Sequence, residues 1–207
     1  MLKVTLLGNG GHAKVIRDII DRVDNVDLFA ILDGKIENKY VESTVIYDSM
    51  NNLIEYKDTK FIIAIGNNHV REKLVKQFHL SDNNFISLVD PSAVISPTAT
   101  IGIGTVVMPN AVINADAVIG KHSIINSSVV VEHENELGDY THISPGTTLS
   151  GTVRIGKFTH IGSGSVVIPN IQLGENCIIG AGSVIIKDIE SNVTAVGNPA
   201  RIIKRSE

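Results

Sequence analysis

Residues 100–125 read "TIGIGTVVMPNAVINADAVIGKHSII". Ile101, Val107, Ile113, Ile119 and Ile125 stand six residues apart. The spacing runs on in both directions. From Val89 to Ile185 every sixth residue is aliphatic, through Ile95, Val131, Leu137, Ile143, Leu149, Ile155, Ile161, Val167, Leu173 and Ile179. Four residues beyond each, the side chain is mostly small: Ala93, Ala99, Thr105, Ala111, Ala117, Ser123, Thr141, Thr147, Thr159, Ser165, Cys177 and Ser183. A period of six matches neither a helix nor an alternating strand. It is the period of a β-helix, in which one hexapeptide makes a short strand and a corner, and three make a triangular coil. The aliphatic residue fills the interior and the small one fits the corner.

The period also works as a map. Residues 18 apart lie on adjacent coils, about 4.8 Å apart. Gly151 therefore stacks over His133, and His160 over His142. Ala181 stacks over Ser163 and Pro145, while Asn126, Ser144, Gly162 and Gly180 form another column.

Residues 1–85 obey a different rule. "LKVTLLG", "VDLFAILD" and "KFIIAIG" read as buried strands. "AKVIRDIIDRV" reads as a helix with Val15, Ile19, Ile20 and Val23 on its inner face. "NNHVREKLVKQF" reads as a second helix, capped by Asn67 or Asn68. Strand–helix–strand order implies a small parallel sheet with helices on it, a Rossmann-like α/β domain. The expected division is 1–85 for this domain and 86–207 for the β-helix.

Composition narrows the function classes. The 207 residues carry a net charge of −4 and no long basic run, which argues against nucleic acid or an anionic membrane surface as partner. Aromatics are 4% and Trp is absent, so the core is aliphatic. The single cysteine, Cys177, allows no internal disulfide and suits a reducing cytoplasm. Cys177 falls on a small corner position and reads as packing. No apolar run approaches the roughly 20 residues of a membrane span, and the N-terminus does not read as a signal peptide.

One segment interrupts the repeat with titratable side chains: "VVVEHENELGDYTHISPG", residues 129–146, with His133, His142, Glu132, Glu134 and Glu136. A lone histidine is most often a solvated surface group. His133 differs because glutamates flank it and Gly151 clears the space above it. A carboxylate orients an imidazole and raises its basicity, as a general base requires. A bare glycine beside it lets a ligand approach backbone N–H. Glu136 reads as ordinary surface charge.

In the first half, "LGNGGHA" places Gly8, Gly10, Gly11 and His12 between a strand and a helix. A tight turn that needs glycine explains this as well as a phosphate cradle at a helix N-terminus does. Asp33 ends the second strand, where such folds contact a ribose or sugar. Gly66, Asn67 and Arg71 follow the third.

With these motifs the chain resembles, over its whole length, the bacterial sugar-acetyltransferase family that includes UDP-4-amino-sugar N-acetyltransferases and sialic acid O-acetyltransferases. The resemblance implies a left-handed hand for the β-helix. It implies acetyl-CoA as co-substrate, no metal, and a homotrimer with sites between subunits. It places the general base at His133 and its partner at Glu134. Acetyl-CoA contacts are implied at His142, Gly151, Ser163 and Ala181. Nucleotide-sugar contacts are implied at Gly10, Gly11, His12, Asp33 and Gly66, with Asn126 in the active-site wall. Asp33-Gly34 departs from the two acidic residues typical of the UDP-sugar enzymes, which leaves the sugar and the nucleotide open.

The expected activity is acetyl transfer from acetyl-CoA to the amine of a nucleotide-linked sugar, such as a UDP-4-amino-4,6-dideoxy sugar. Transfer to a sialic acid hydroxyl is the nearest alternative. A γ-type carbonic anhydrase is more remote: of His122, His142 and His160, two share a column and the third is out of step. Lys187, Arg201, Lys204 and Arg205 are either CoA-phosphate contacts or a solvated basic tail.

Overall fold

The computed structural model describes residues 1–205. Strand β1 (Leu2–Leu7) leads into helix α1 (Gly11–Ile20) and strand β2 (Val26–Asp33). Strands β3 (Tyr40–Glu42) and β4 (Val45–Ser49) follow, then a 3-10 helix over Met50–Tyr56, strand β5 (Lys60–Ile63) and helix α2 (Asn68–Gln77). The sheet order is β3-β4-β2-β1-β5, parallel except where β3 turns back on β4. The β3–β4 hairpin and the 3-10 turn are absent from the sequence reading.

Helix α1 turns a different face inward than its sequence suggests. Ala13, Ile16, Ile19 and Ile20 are buried, and Val15 is 36% exposed. The helix packs at once against the sheet residues Leu6, Ile31 and Ile62 and against Leu88, Val106 and Met108 of the first coils. That sandwich selects the Ala13–Ile16–Ile20 stripe and leaves Val15 outside. Helix α2 begins as its sequence predicts: the Asn67 side chain accepts from the Val70 N–H at 3.1 Å.

From Leu88 the chain is a parallel β-helix of two-residue strands. Each pairs with the strand 18 residues on, as Val112 pairs with Val130 and His142 with His160. Three stacked faces result. Face one carries Val94, Val112, Val130, Thr148, Val166 and Val184 outward. Face two carries Thr100, Val118, Glu136, Arg154 and Gln172. Face three carries Leu88, Val106, Ile124, His142, His160 and Ile178, and the α/β domain packs on its first coils. The six-residue aliphatic series points inward: from Val107 to Ile185 each member is at most 3% exposed.

Every corner uses the same backbone device. At each sixth residue from Gly104 to Gly182, φ is positive; Asp116, His122, Glu134, Tyr140 and Phe158 lie between 52° and 60°. Left-handed conformation costs a non-glycine residue roughly 1–2 kcal/mol. Here its N–H gains a partner in the preceding coil, as Glu134 N donates to Ala115 O and Tyr140 N to Lys121 O. The prism closes with strand Val193–Val196 and an antiparallel return strand, Arg201–Arg205, whose five residues are all exposed.

Candidate active site

His133 stands at the corner between faces one and two. Its Nδ1 lies 3.1 Å from Glu134 Oε2, and both side chains are more than half exposed. A carboxylate only accepts at neutral pH, so in the neutral imidazole the proton sits on Nδ1 and the lone pair on Nε2. That lone pair faces Gly151: a Cβ there would lie 2.5 Å from His133 Nε2. The stacking expected from the period is present, since Thr152 N donates to His133 O at 2.9 Å. The Gly151 N–H has no acceptor among the described residues.

A residue that sequence reading missed sets this corner. Asn135 is fully buried. Its Nδ2 donates to Glu132 O at 2.8 Å and Leu149 O at 3.3 Å, and its Oδ1 accepts from Val153 N at 2.6 Å. It clasps the loop that carries His133 to the coil that carries Gly151. Asn135 is the one amide in a column of small or aliphatic residues, and that exception was the available signal.

A second cluster lies on face three. His142 stacks on His160 with ring centroids 4.7 Å apart and planes 7° apart. His142 Nε2 is 3.1 Å from Asn126 Nδ2, and its Nδ1 is 3.3 Å from Gly66 O. His160 Nε2 meets Ser144 Oγ at 2.8 Å. Burial, then the charges of His160 and Arg71, push His142 down to about 3.

Arg71 fastens this cluster to the α/β domain. It is 1% exposed. Its guanidinium donates to His122 O, Ile65 O, Gly66 O, Asn68 Oδ1, Tyr140 O and Thr141 O at 2.9–3.2 Å. Burial pushes it down to about 9. Beside it an aromatic stack climbs the corner between faces two and three. His122 lies on Tyr140 at 5.1 Å, Tyr140 on Phe158 at 5.4 Å, and Phe158 on His69 of α2 at 4.8 Å. His122 is thus enclosed in that corner stack, apart from the His142–His160 pair. Cys177 is buried, with Sγ directed at Glu190 O, and burial raises its thiol.

The third cluster is the mouth of the α/β domain. Asp33 Oδ2 accepts from Asn9 N at 2.8 Å and Oδ1 from Lys35 N at 2.9 Å, so its carboxylate ties down the glycine-rich loop. Gly8 needs its lack of side chain: φ is +117° and a Cβ would lie 2.8 Å from Ile65. Nothing stands within 4 Å of where a Cβ would be at Gly10 or Gly11. No side chain caps α1, which leaves its first N–H groups free. His12 Nε2 is buried and has no hydrogen-bond partner among the described residues. Burial, then Arg71, push His12 down to about 4.

The site residues therefore fall into separate groups within one chain. Asn126, His142 and Gly66 meet where the α/β domain joins face three. His133, Glu134 and Gly151 occupy another corner, one face width away, up to roughly 20 Å for six extended residues. Ser163 and Ala181 lie on the third corner, stacked through Gly182 N to Ser163 O at 2.8 Å. A groove of about 1200 Å³ runs along face two past Glu136, Arg154, Gln172, Asp188 and Ile202, and Ser163 and Ala181 do not line it. Lys187 and Arg201 border a neighbouring cleft of about 330 Å³. Arg205 is paired with Glu190. No helix is long and apolar enough to cross a membrane among the described residues.

Comparison with known proteins identifies this class of molecule. Residues 3–78 match the PglD N-terminal domain, and residues 152–187 match the bacterial transferase hexapeptide repeat. The chain is similar to a perosamine N-acetyltransferase from Caulobacter crescentus, solved as a histidine variant with CoA and GDP-perosamine. The identity is 32%, covering 98% of this chain and 97% of that one, at a TM-score of 0.88. It is similar to the acetyltransferase domain of PglB from Neisseria gonorrhoeae FA1090 with acetyl coenzyme A. There the identity is 31%, covering 97% and 98%, at a TM-score of 0.88. A UDP-N-acetylbacillosamine N-acetyltransferase from Bacillus subtilis (strain 168) is 44% identical over 114 residues, 52% of each chain. That alignment spans about half the length of the curated relative. The chain is a left-handed β-helix acetyltransferase behind a Rossmann-like domain. It belongs to the PglD-like family of nucleotide-sugar acetyltransferases.

Proposed function

We propose that this protein transfers the acetyl group of acetyl-CoA to the amine of a nucleotide-linked amino sugar. The observation that carries the reading is the His133–Gly151 corner: an oriented imidazole whose Nε2 lies over the bare α-carbon of Gly151, beside a backbone N–H with no acceptor among the described residues. The sugar amine attacks the thioester carbonyl carbon. Its proton passes to His133 Nε2, and Glu134 stabilises the imidazolium. The Gly151 N–H donates to the oxyanion, the carbon–sulfur bond breaks, and the thiolate leaves as CoA by taking the proton held on His133, which restores the base. General-base catalysis of this kind supplies about 10²–10⁴-fold, and holding both substrates in place supplies much of the rest.

The nucleotide sugar takes the mouth of the α/β domain. The free N–H groups of α1 at Gly10, Gly11 and His12 receive the phosphates, and Asp33 and Gly66 frame the rest. Asn126 and His142 line the far wall. Because that mouth and His133 lie at different corners, the reading requires a homotrimer in which one subunit's His133 serves its neighbour's sugar. Acetyl-CoA lies between subunits, along Ser163 and Ala181, with its phosphates toward Lys187, Arg201 and Lys204. The working compartment is the cytoplasm, where acetyl-CoA and nucleotide sugars are made.

The test is acetyl-CoA-dependent thiol release by wild type and His133→Ala with UDP-, dTDP- and GDP-linked 4-amino sugars and CMP-sialic acid. Release with an amino sugar, lost in the variant, is expected. Release with CMP-sialic acid alone moves the acceptor to a hydroxyl. Failure to bind acetyl-CoA overturns the reading.

A further inference from the structure

Asn126 has only one orientation that satisfies its surroundings. Its Oδ1 accepts from Ser127 N at 2.9 Å, so Nδ2 must be the atom 3.1 Å from His142 Nε2. An amide NH₂ only donates, which makes His142 Nε2 an acceptor. The other ring nitrogen faces Gly66 O at 3.3 Å, which only accepts. Both contacts demand one species: neutral imidazole with its proton on Nδ1. The opposite tautomer sets N–H against N–H at one side and a lone pair against a carbonyl at the other. The imidazolium keeps the first of these clashes.

Gly66 O is also held by Arg71 Nη1 at 3.0 Å, beside Ile65 O at 3.2 Å. The same guanidinium grips Tyr140 O and Thr141 O, immediately before His142. Arg71 thus fixes the acceptor and the ring's own backbone together, from the other domain. The charged and titratable groups around the ring are His12 on α1, Arg71 on α2 and His160 on the next coil, and no carboxylate is among them.

We infer that Arg71 is a positioning residue that locks His142 as the neutral, Nδ1-protonated tautomer. Nε2 is then a permanent acceptor. A ligand group that displaces Asn126 there must bring its own N–H or O–H, such as a pantetheine amide or the acceptor amine. This deepens the acetyl-transfer reading of the site and rests on it for the identity of that ligand.

The deciding measurement is a long-range ¹H–¹⁵N spectrum of ¹⁵N-histidine-labelled full-length protein across pH, with His142 assigned from His142→Gln. Wild type should show His142 neutral, proton on Nδ1, down to at least pH 5. A proton on Nε2, or titration near pH 6.5, overturns the lock without any variant. Arg71→Gln should raise the His142 midpoint by a unit or more, mix its tautomers and move the acid limb of kcat/KM upward. Arg71→Lys, which keeps the charge without the planar fork, should restore neutrality in part. Arg71→Gln with unchanged tautomer and midpoint overturns the role of Arg71. The spectrum requires no turnover, so the expected tautomer in a protein that transfers no acetyl group would retain the lock and sink the proposed function.

Discussion

Gly151 leaves His133 Nε2 uncovered: a single methyl group on its α-carbon would come within 2.5 Å of that nitrogen. The obstructed atom is the end of an exposed side chain, so the ring swings aside and the fold survives. Gly151→Ala should cost less than about 1 kcal/mol of stability and lower kcat roughly 10-fold or more by displacing the base. Thermal unfolding and steady-state kinetics on one preparation check both halves.

Removing the proposed base should remove its contribution alone. His133→Ala should reduce kcat by about 10²–10⁴ with unfolding unchanged, because the side chain is exposed. Glu134→Gln should cost less. The double variant should be no worse than His133→Ala, since Glu134 acts through the imidazole. Additive losses would show that Glu134 touches substrate independently.

Asp33 restrains the glycine-rich loop through the Asn9 N–H. Asp33→Ala should raise KM for the nucleotide sugar several-fold and leave KM for acetyl-CoA unchanged. Equal effects on both would place Asp33 outside the sugar site.

Asn135→Ala leaves the Glu132 carbonyl and the Val153 N–H without their side-chain partner inside the prism, while Leu149 O keeps the Glu132 N–H. The expected loss is about 1–3 kcal/mol, with a drop in kcat beyond what the stability loss explains. Urea unfolding measures the first. An unaffected kcat would mean that Asn135 supports the coil and not His133.

Four buried or half-buried histidines, His12, His122, His142 and His160, make the fold acid-sensitive, since burial lowers each of them. His12 and His122 are pushed down to about 4 and His142 to about 3, chiefly by burial. In the unfolded chain they titrate near pH 6.5. Below that value the unfolded state binds protons that the folded state refuses, so stability is full above about pH 6.5. It falls toward pH 4 by up to about 1.4 kcal/mol per pH unit for each histidine. His122→Phe keeps a ring between Phe85 and Tyr140 and should flatten the slope by about a quarter. Melting temperature from pH 7.5 to 4.5 reads it out.

The prism was legible because every hexad repeats one packing problem, and sixteen repetitions average out local exceptions. The coil-to-coil map gave the Gly151–His133 and His160–His142 stacks directly. The α/β domain was less legible. Helical spacing puts Val15 on one face with Ile19 and Val23, whereas α1 is pressed between a sheet and a prism and buries Ala13 and Ile16 instead. The β3–β4 hairpin lies in a polar stretch with little alternation. Arg71 could not be understood from sequence, because five of its six partners are backbone carbonyls, up to 70 residues away. Carbonyls carry no residue signature.

The return strand Arg201–Arg205 has one more consequence. A β-helix ends in open hydrogen-bonding edges, and stacked coils are a template for adding further strands. This strand runs antiparallel over Val193–Val196 and shows solvent Arg201, Lys204 and Arg205. Its reversed direction breaks the parallel stacking rule, and its charges repel a second copy. On face three it would oppose end-to-end fibre growth, and a chain trimmed of it is expected to polymerise.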